Sequence, residues 1–203
     1  MFTLAERLLT NPPLMAGLPA FRIALMSQRT AGLTMWVPRL LAQHRYLVLG
    51  TADGEGRPWA SPVFFAADGQ HRVLWVSSPD SRHSRNIAAR PEVAITVFDT
   101  AAPVGGAEAI YLEATAGSAA DDARAADLAL LNTRLPTGHQ LVPEDLEPAG
   151  PLLVYQAAIS RHFVLIRGGD ARFDNVTDAR LAVFPPDPDP DPDPDPDHST
   201  HTI

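Results

Sequence analysis

No cysteine and no lysine occur among the 203 residues. The first absence excludes disulfides, thiolate nucleophiles, and zinc or iron–sulfur sites built on sulfur. The second leaves all 16 basic side chains as arginine. Schiff-base chemistry through lysine is therefore excluded, and any bound anion must be held by arginine, histidine or backbone N–H groups. Long apolar runs are missing too, because charges or proline interrupt each stretch before it reaches the length of a membrane span. The first 30 residues carry Arg7, Arg22 and Arg29 without the continuous apolar core of a secretion signal. A cytoplasmic location is the resulting expectation, with no membrane partner.

Net positive charge is also lacking, but the formal charge of −8 overstates the imbalance. Six of the 24 acids (Asp187, Asp189, Asp191, Asp193, Asp195 and Asp197) belong to a C-terminal Asp-Pro repeat, and without them 18 acids face 16 bases. A nearly neutral body has no electrostatic footprint for nucleic acid, so none is expected as a partner.

What is present is a chain 45% hydrophobic, long enough to bury one core with extensions at both ends. Residues 3–10 and 20–30 read as short helices of an N-terminal helical extension spanning 1–35, and 36–44 reads as a third helix. Three strand-like runs follow at 46–52, 58–66 and 72–77, separated by Asp53-Gly54-Glu55-Gly56 and Asp68-Gly69. Such spacings belong to antiparallel hairpins rather than to a parallel sheet. Pro62 inside the second run marks an edge or a bulge, since it cannot donate to a ladder. A short helix is expected from Ser81 to Arg90, stopped by Pro91, with Ser78-Pro79 readable as N-cap and first helical residue.

Residues 93–98 are apolar on both faces, as in a central strand, and 108–116 alternate, with Ile110, Leu112 and Ala114 on one face. Ala125, Leu128 and Leu131 make the stripe of a helix over 121–135. A last hairpin is expected from 152–159 and 162–167, with an edge strand at 180–184. The Asp-Pro segment, 185–203, cannot bury apolar surface and reads as a disordered tail. The sum is a mainly β chain: six to seven antiparallel strands over 36–184 in a closed or split β-barrel, with flanking helices.

Residues 40–118 resemble the pyridoxamine 5′-phosphate oxidase-like, FMN-binding split-barrel family. The resemblance is carried by Leu49-Gly50-Thr51-Ala52-Asp53-Gly54, by Gly56-Arg57-Pro58-Trp59-Ala60-Ser61-Pro62-Val63 and by Trp75-Val76-Ser77-Ser78. It continues through Ser81-Arg82-His83-Ser84-Arg85-Asn86-Ile87, Arg90-Pro91-Glu92-Val93-Ala94 and Ala109-Ile110-Tyr111-Leu112-Glu113. It implies a homodimer with FMN at the interface and an oxidoreductase acting on a small-molecule substrate. By the same resemblance Ser61, Pro62 and Val63 lie along the isoalloxazine ring, and Ser77 and Ser78 stand near the ribityl chain and phosphate. Ser81, Arg82 and His83 occupy the place of the family's phosphate-binding Ser-Arg-Lys. His83 thus replaces a lysine and adds charge only below its pKa, Arg82 and Arg85, three apart on the helix, are expected to compensate, and FMN affinity is expected to rise as pH falls.

Other departures argue against vitamin B6 oxidation. Ser61 and Ala66 stand where true pyridoxamine-phosphate oxidases place an Arg and a Lys, and Ala109 stands where they place a Gln. Their C-terminal Arg-Leu-His motif has no counterpart. Two alternatives keep the fold: a flavin-binding carrier or sensor without turnover, and a deazaflavin or haem binder in the same groove. A lysine-free groove makes the highly anionic deazaflavin less suitable. Trp59 and Trp75 could stack on a flavin or fill the core. His44, His71, His139 and His162 lack metal-ligand spacing and read as structural, and no metal is expected. Glu108 and Glu113 do not form an acid–base pair, and no catalytic side chain is identified.

Overall fold

The alternating runs and Asp-Gly turns between residues 46 and 77 become strands in a computed structural model of the chain, which describes residues 32–146, 150–173 and 175–183. Nearly all of the expected N-terminal extension, and the whole Asp-Pro tail, lie outside the described residues. Helix α1 (Trp36–Gln43) buries Val37, Leu40 and Leu41, an i, i+3, i+4 set that makes one apolar face. It leads into β1 (Tyr46–Ala52). At the β1–β2 turn the Asp53 carboxylate accepts the N–H groups of Glu55 and Arg57 at 3.0 and 2.9 Å. Gly56 supplies the positive φ of 85° that the turn requires.

Strand β2 (Pro58–Phe64) pairs with β1 along its whole length, Val48 opposite Pro62 and Gly50 opposite Ala60. The 58–66 run is not one strand. Phe65 is fully buried, its N–H bonds the Arg45 carbonyl at 3.1 Å, and the chain corners there. β3 (Ala66–Asp68) then pairs with β4 (Arg72–Ser77) instead of β1. After helix α2 (Arg82–Ala89) come β5 (Glu92–Phe98) and β6 (Ala109–Ser118). Helix α3 (Arg124–Asn132) follows a 3-10 turn (Asp121–Ala123), and a second such turn (Pro143–Leu146) precedes β7 (Leu153–Ile166) and β8 (Ala179–Val183).

The strand order is β2-β1-β5-β6-β7-β4-β3, with β8 on β7. Because β2 and β3 are joined through Phe65, the two ends of this order meet covalently and the antiparallel sheet curls into a split barrel. Its interior is filled by Leu49, Phe65, Trp75, Ile95, Ile110 and Leu112, with Trp75 stacked on Tyr155 at 5.9 Å between ring centroids. Among the described residues seven strands make this path, within the expected six to seven, and β8 adds an edge to β7.

The hairpin expected within 152–167 is a single 14-residue strand. Ser160 is absorbed as a bulge opposite Glu113 and Ala114 rather than as a turn, so β7 reaches β4 with one half and β8 with the other. β5 is central, as its sequence implies, but only Val93, Ile95 and Val97 are buried, and Phe98 is 39% exposed on the outer face. On α3, Leu128 and Leu131 pack on Leu74 and Val154, whereas Ala125 is exposed.

The buried face of α3 also carries Asp127, which is wholly inaccessible. Arg72 meets it at 2.9 Å, and binds Asp68 at 2.7 Å and Gln156 at 3.1 Å. A carboxylate buried in this way depends on its one cation. Arg72→Leu is expected to lower stability by about 3–5 kcal/mol in urea titration, and Arg72→Leu/Asp127→Leu to recover most of the loss.

Candidate functional site

Strand β4 hands over to α2 through Ser78-Pro79-Asp80, and this junction gathers polar side chains from both elements. Ser81, not Ser78, is the N-cap of α2: its Oγ accepts the Ser84 N–H at 3.3 Å. Ser78 instead accepts the Asp80 N–H at 3.2 Å, holding the turn that precedes the helix. Asp80 is exposed, so water screens its charge.

Behind the cap the hydroxyls form a connected chain. Ser77 donates to Ser81 at 3.2 Å, and Ser81 donates to Ser84 at 2.8 Å. His83 Nε2 lies 2.8 Å from Ser77 Oγ. With the Ser77 proton directed at Ser81, the imidazole serves Ser77 as donor. Burial pushes the His83 imidazole below its ordinary pKa, so it is neutral near pH 7.

Arg82 and Arg85 flank this chain. Arg85 donates to the Asp80 carbonyl at the same turn. Arg82 lies over the Trp59 ring, 4.3 Å from its centroid, within the range of a cation–π contact. Neither guanidinium has a carboxylate within ion-pair distance among the described residues. Trp59 is 41% exposed on β2 while Trp75 is fully buried, so the two tryptophans have different roles.

The Trp59–Arg82 contact brings β2 to the rim. From there Ser61 and Val63 point inward and are buried, and Pro62 between them is exposed on the outer face. Among the described residues β2 pairs with β1 alone. Its other edge therefore offers backbone groups that no strand takes, and Pro62 suits that edge. The structure thus unites Ser77, Ser78, Ser81, Arg82, His83 and Arg85 at one junction, and sets Ser61, Pro62 and Val63 on the adjoining strand.

Two residues with no assigned role in the sequence hold the junction in place. Asn86, buried on α2, donates to Thr51 Oγ1 at 3.0 Å, and Thr51 reaches the Trp59 carbonyl at 3.4 Å. At the far end of the helix Arg90 donates to the Gly54 carbonyl at 3.1 Å. These contacts cross 35 and 36 residues of sequence, a distance at which no local spacing rule operates. Of the other histidines, His162 is buried and meets the Gln70 carbonyl at 2.6 Å, whereas His71 and His139 are exposed. Glu108 and Glu113 engage Arg39 and Arg161, not each other.

Barrel, capping helix and polar junction define the chain as a split-barrel protein. The family model described as pyridoxamine 5′-phosphate oxidase matches residues 37–161, more than half of the chain. The chain belongs to the pyridoxamine 5′-phosphate oxidase-like family. Among solved structures it is similar to HutZ, the heme storage protein from Vibrio cholerae, at 20% identity over 62% of this chain and 89% of that one, TM-score 0.52. It is also similar to a heme binding protein from Mycobacterium smegmatis, at 19% identity over 73% of this chain and 57% of that one, TM-score 0.57. ChuZ from Campylobacter jejuni shares 14% identity over 66% of this chain and 56% of its own, TM-score 0.55. At these identities the likeness shows the fold. A search of curated proteins found no match.

Since the Ser81 hydroxyl both caps α2 and links the hydroxyl chain, Ser81→Ala is expected to cost about 0.5–2 kcal/mol of stability, measured by urea titration.

Proposed function

We propose that this chain binds FMN at the β4–α2 rim, across two copies of the barrel, and acts as a flavin-dependent oxidoreductase on a small-molecule substrate. The observation that carries the reading is the rim itself: three serine hydroxyls, an imidazole and an arginine without a counter-carboxylate converge beside the unpaired edge of β2. That donor set fits a phosphate. Ser77, Ser81, His83 and Arg82 would hold it, with Ser78 and Arg85 beside them, and the edge of β2 at Ser61, Pro62 and Val63 would meet the polar rim of the ring. When bound, the flavin supplies electron transfer, while the protein binds it, orients it and limits access of water. Ser61 is buried and uncharged, so it cannot serve the role of an arginine toward a second phosphate-bearing substrate. Pyridoxamine-phosphate oxidation is accordingly not proposed.

Support for a second copy comes from the outer face of β2, β1 and β5. Cross-strand rows Ala60–Gly50–Ala94 and Pro62–Val48–Thr96 are flat and small. Tyr46, 64% exposed, and Phe98 lie on the same exterior. An open apolar face of this kind is suited to another copy of itself.

Haem is the second reading, favoured by the likeness to HutZ, a heme storage protein, and to the heme binding protein from Mycobacterium smegmatis. The absorption spectrum of the purified protein separates the two, a flavin's paired visible bands against a Soret band. Rapid reoxidation of the reduced holoprotein by oxygen, quinone or disulfide supports turnover, and its absence supports a carrier or sensor.

Loss of one charge-assisted contact is worth roughly 1.5–3 kcal/mol, so Arg82→Ala is expected to weaken FMN binding about 10- to 100-fold. Riboflavin, which lacks the phosphate, should bind the variant and the parent alike in fluorescence titration. Unchanged FMN affinity refutes the assignment.

A pH dependence follows from His83. A phosphate beside it favours the imidazolium, so its pKa is higher in the complex than in the free protein, where burial depresses it. FMN affinity should then climb as pH falls through the complex's value and level off below the free protein's. Phosphate protonation near pH 6 opposes this trend in every variant. The expected signature is therefore the difference between parent and His83→Gln, largest at low pH and vanishing above neutrality.

A further inference from the structure

We propose that the cleft between α1 and the β3–β4 turn is a second binding site, for an aliphatic carboxylate of medium chain length. The cleft holds about 630 Å³, within the range of small-molecule sites, which are mostly apolar with a few placed polar groups. It lies at the start of β4, and the flavin rim lies at the end of that strand. Six residues at roughly 3.3 Å each separate the two places. This inference does not rest on the flavin reading.

One wall is hydrocarbon: Met35, Pro38, Leu41 and Ala42 from α1 and its lead-in, and Ala67 from β3. Met35 is 58% exposed at the rim. Opposite stand Asp68, Gln70, His71, Arg72 and Arg134. Asp68 and Arg72 are committed to one another, and Arg72 also to buried Asp127. His71 is exposed, edge-to-face with His162 at 5.7 Å.

Arg134 is the uncompensated charge. It donates to the carbonyls of Leu41, at 3.1 Å, and His44, and lies 5.1 Å from the Phe65 ring. Neither it nor Arg45 has a carboxylate within ion-pair distance among the described residues. Burial and the Arg45 charge both push the Arg134 pKa down, as expected for a cation short of counter-charge. The carbonyls at the end of α1 orient the guanidinium but contribute only partial negative charge. A half-buried cation beside an apolar wall is completed by a ligand that brings a carboxylate and a hydrocarbon chain together.

Calorimetric titration of the full chain with decanoate and with decyltrimethylammonium tests the site. Decanoate should bind saturably and the cationic amphiphile should not. Ala42→Trp, at an exposed helix position that lines the cleft, should abolish decanoate binding, and Arg134→Gln should weaken it by about tenfold or more. FMN titrations should be unaffected by decanoate, which separates this site from the rim. No saturable decanoate binding, equal binding of the cation, or full binding by Ala42→Trp overturns the proposal. Should Arg134→Gln fail to fold because it loses the bonds to α1, Ala42→Trp and the charge comparison decide it.

Discussion

The barrel closes at Phe65. Up to that residue the chain runs beside β1, and beyond it the same run pairs with β4. Burying Phe65 completely, with its N–H on the Arg45 carbonyl, fixes the corner. An aromatic ring sunk in a core is worth several kcal/mol against truncation, enough to hold a bend that no glycine or proline encodes. Because of that corner β2 becomes an edge beside the end of β4, and the two places that meet at the rim share one wall. The cleft at the opposite end of β4 follows from the same bend, since Ala67 and Asp68 line it immediately after the corner.

The rim gathers anion-compatible donors without using a lysine. Hydroxyls and an imidazole satisfy one another through Ser77, Ser81, Ser84 and His83, so these groups are paired within the protein itself. Small rotations of hydroxyl groups can redirect those donors, whereas a buried ammonium would need a permanent counter-ion. Fixed charge is left to Arg82 and Arg85 at the exposed margin, where water screens it. The family match shows the family and the fold; the proposal of a phosphate-bearing ligand rests on the donor set, and the departures at Ser61, Ala66 and Ala109 are the reason that vitamin B6 oxidation is not proposed.

Much of this architecture was legible in the sequence because turn chemistry punctuates it. With Asp53-Gly54-Glu55-Gly56, Asp68-Gly69 and Pro91 as punctuation, the expected bounds of β1 and β4 coincide with the observed ones, and those of α2 fall within a residue. The corner at Phe65 was not legible: alternation of inward Ser61, Val63 and Phe65 continues through it, and periodicity does not record a change of partner. β7 was misread for the converse reason, because Ser160-Arg161 breaks the apolar alternation and a bulge leaves the same trace as a turn. No local pattern marks Asp127 for burial, because its partner Arg72 is brought beside it only by the fold. For the site, contiguous motifs gave its residues together. Trp59 over Arg82, and Asn86 on Thr51, depend on how α2 lies across the β1–β2 hairpin, which only the tertiary structure reveals.

The indole of Trp59 serves less as a platform for an aromatic ring than as a rest for a guanidinium. A free arginine side chain samples many rotamers and forfeits as much as about 2 kcal/mol of entropy when it is fixed. Parked at 4.3 Å over Trp59, Arg82 has already surrendered part of that freedom before any anion arrives. For the anion proposed above, the rim is to that extent pre-organised, and the tryptophan does this through the arginine alone.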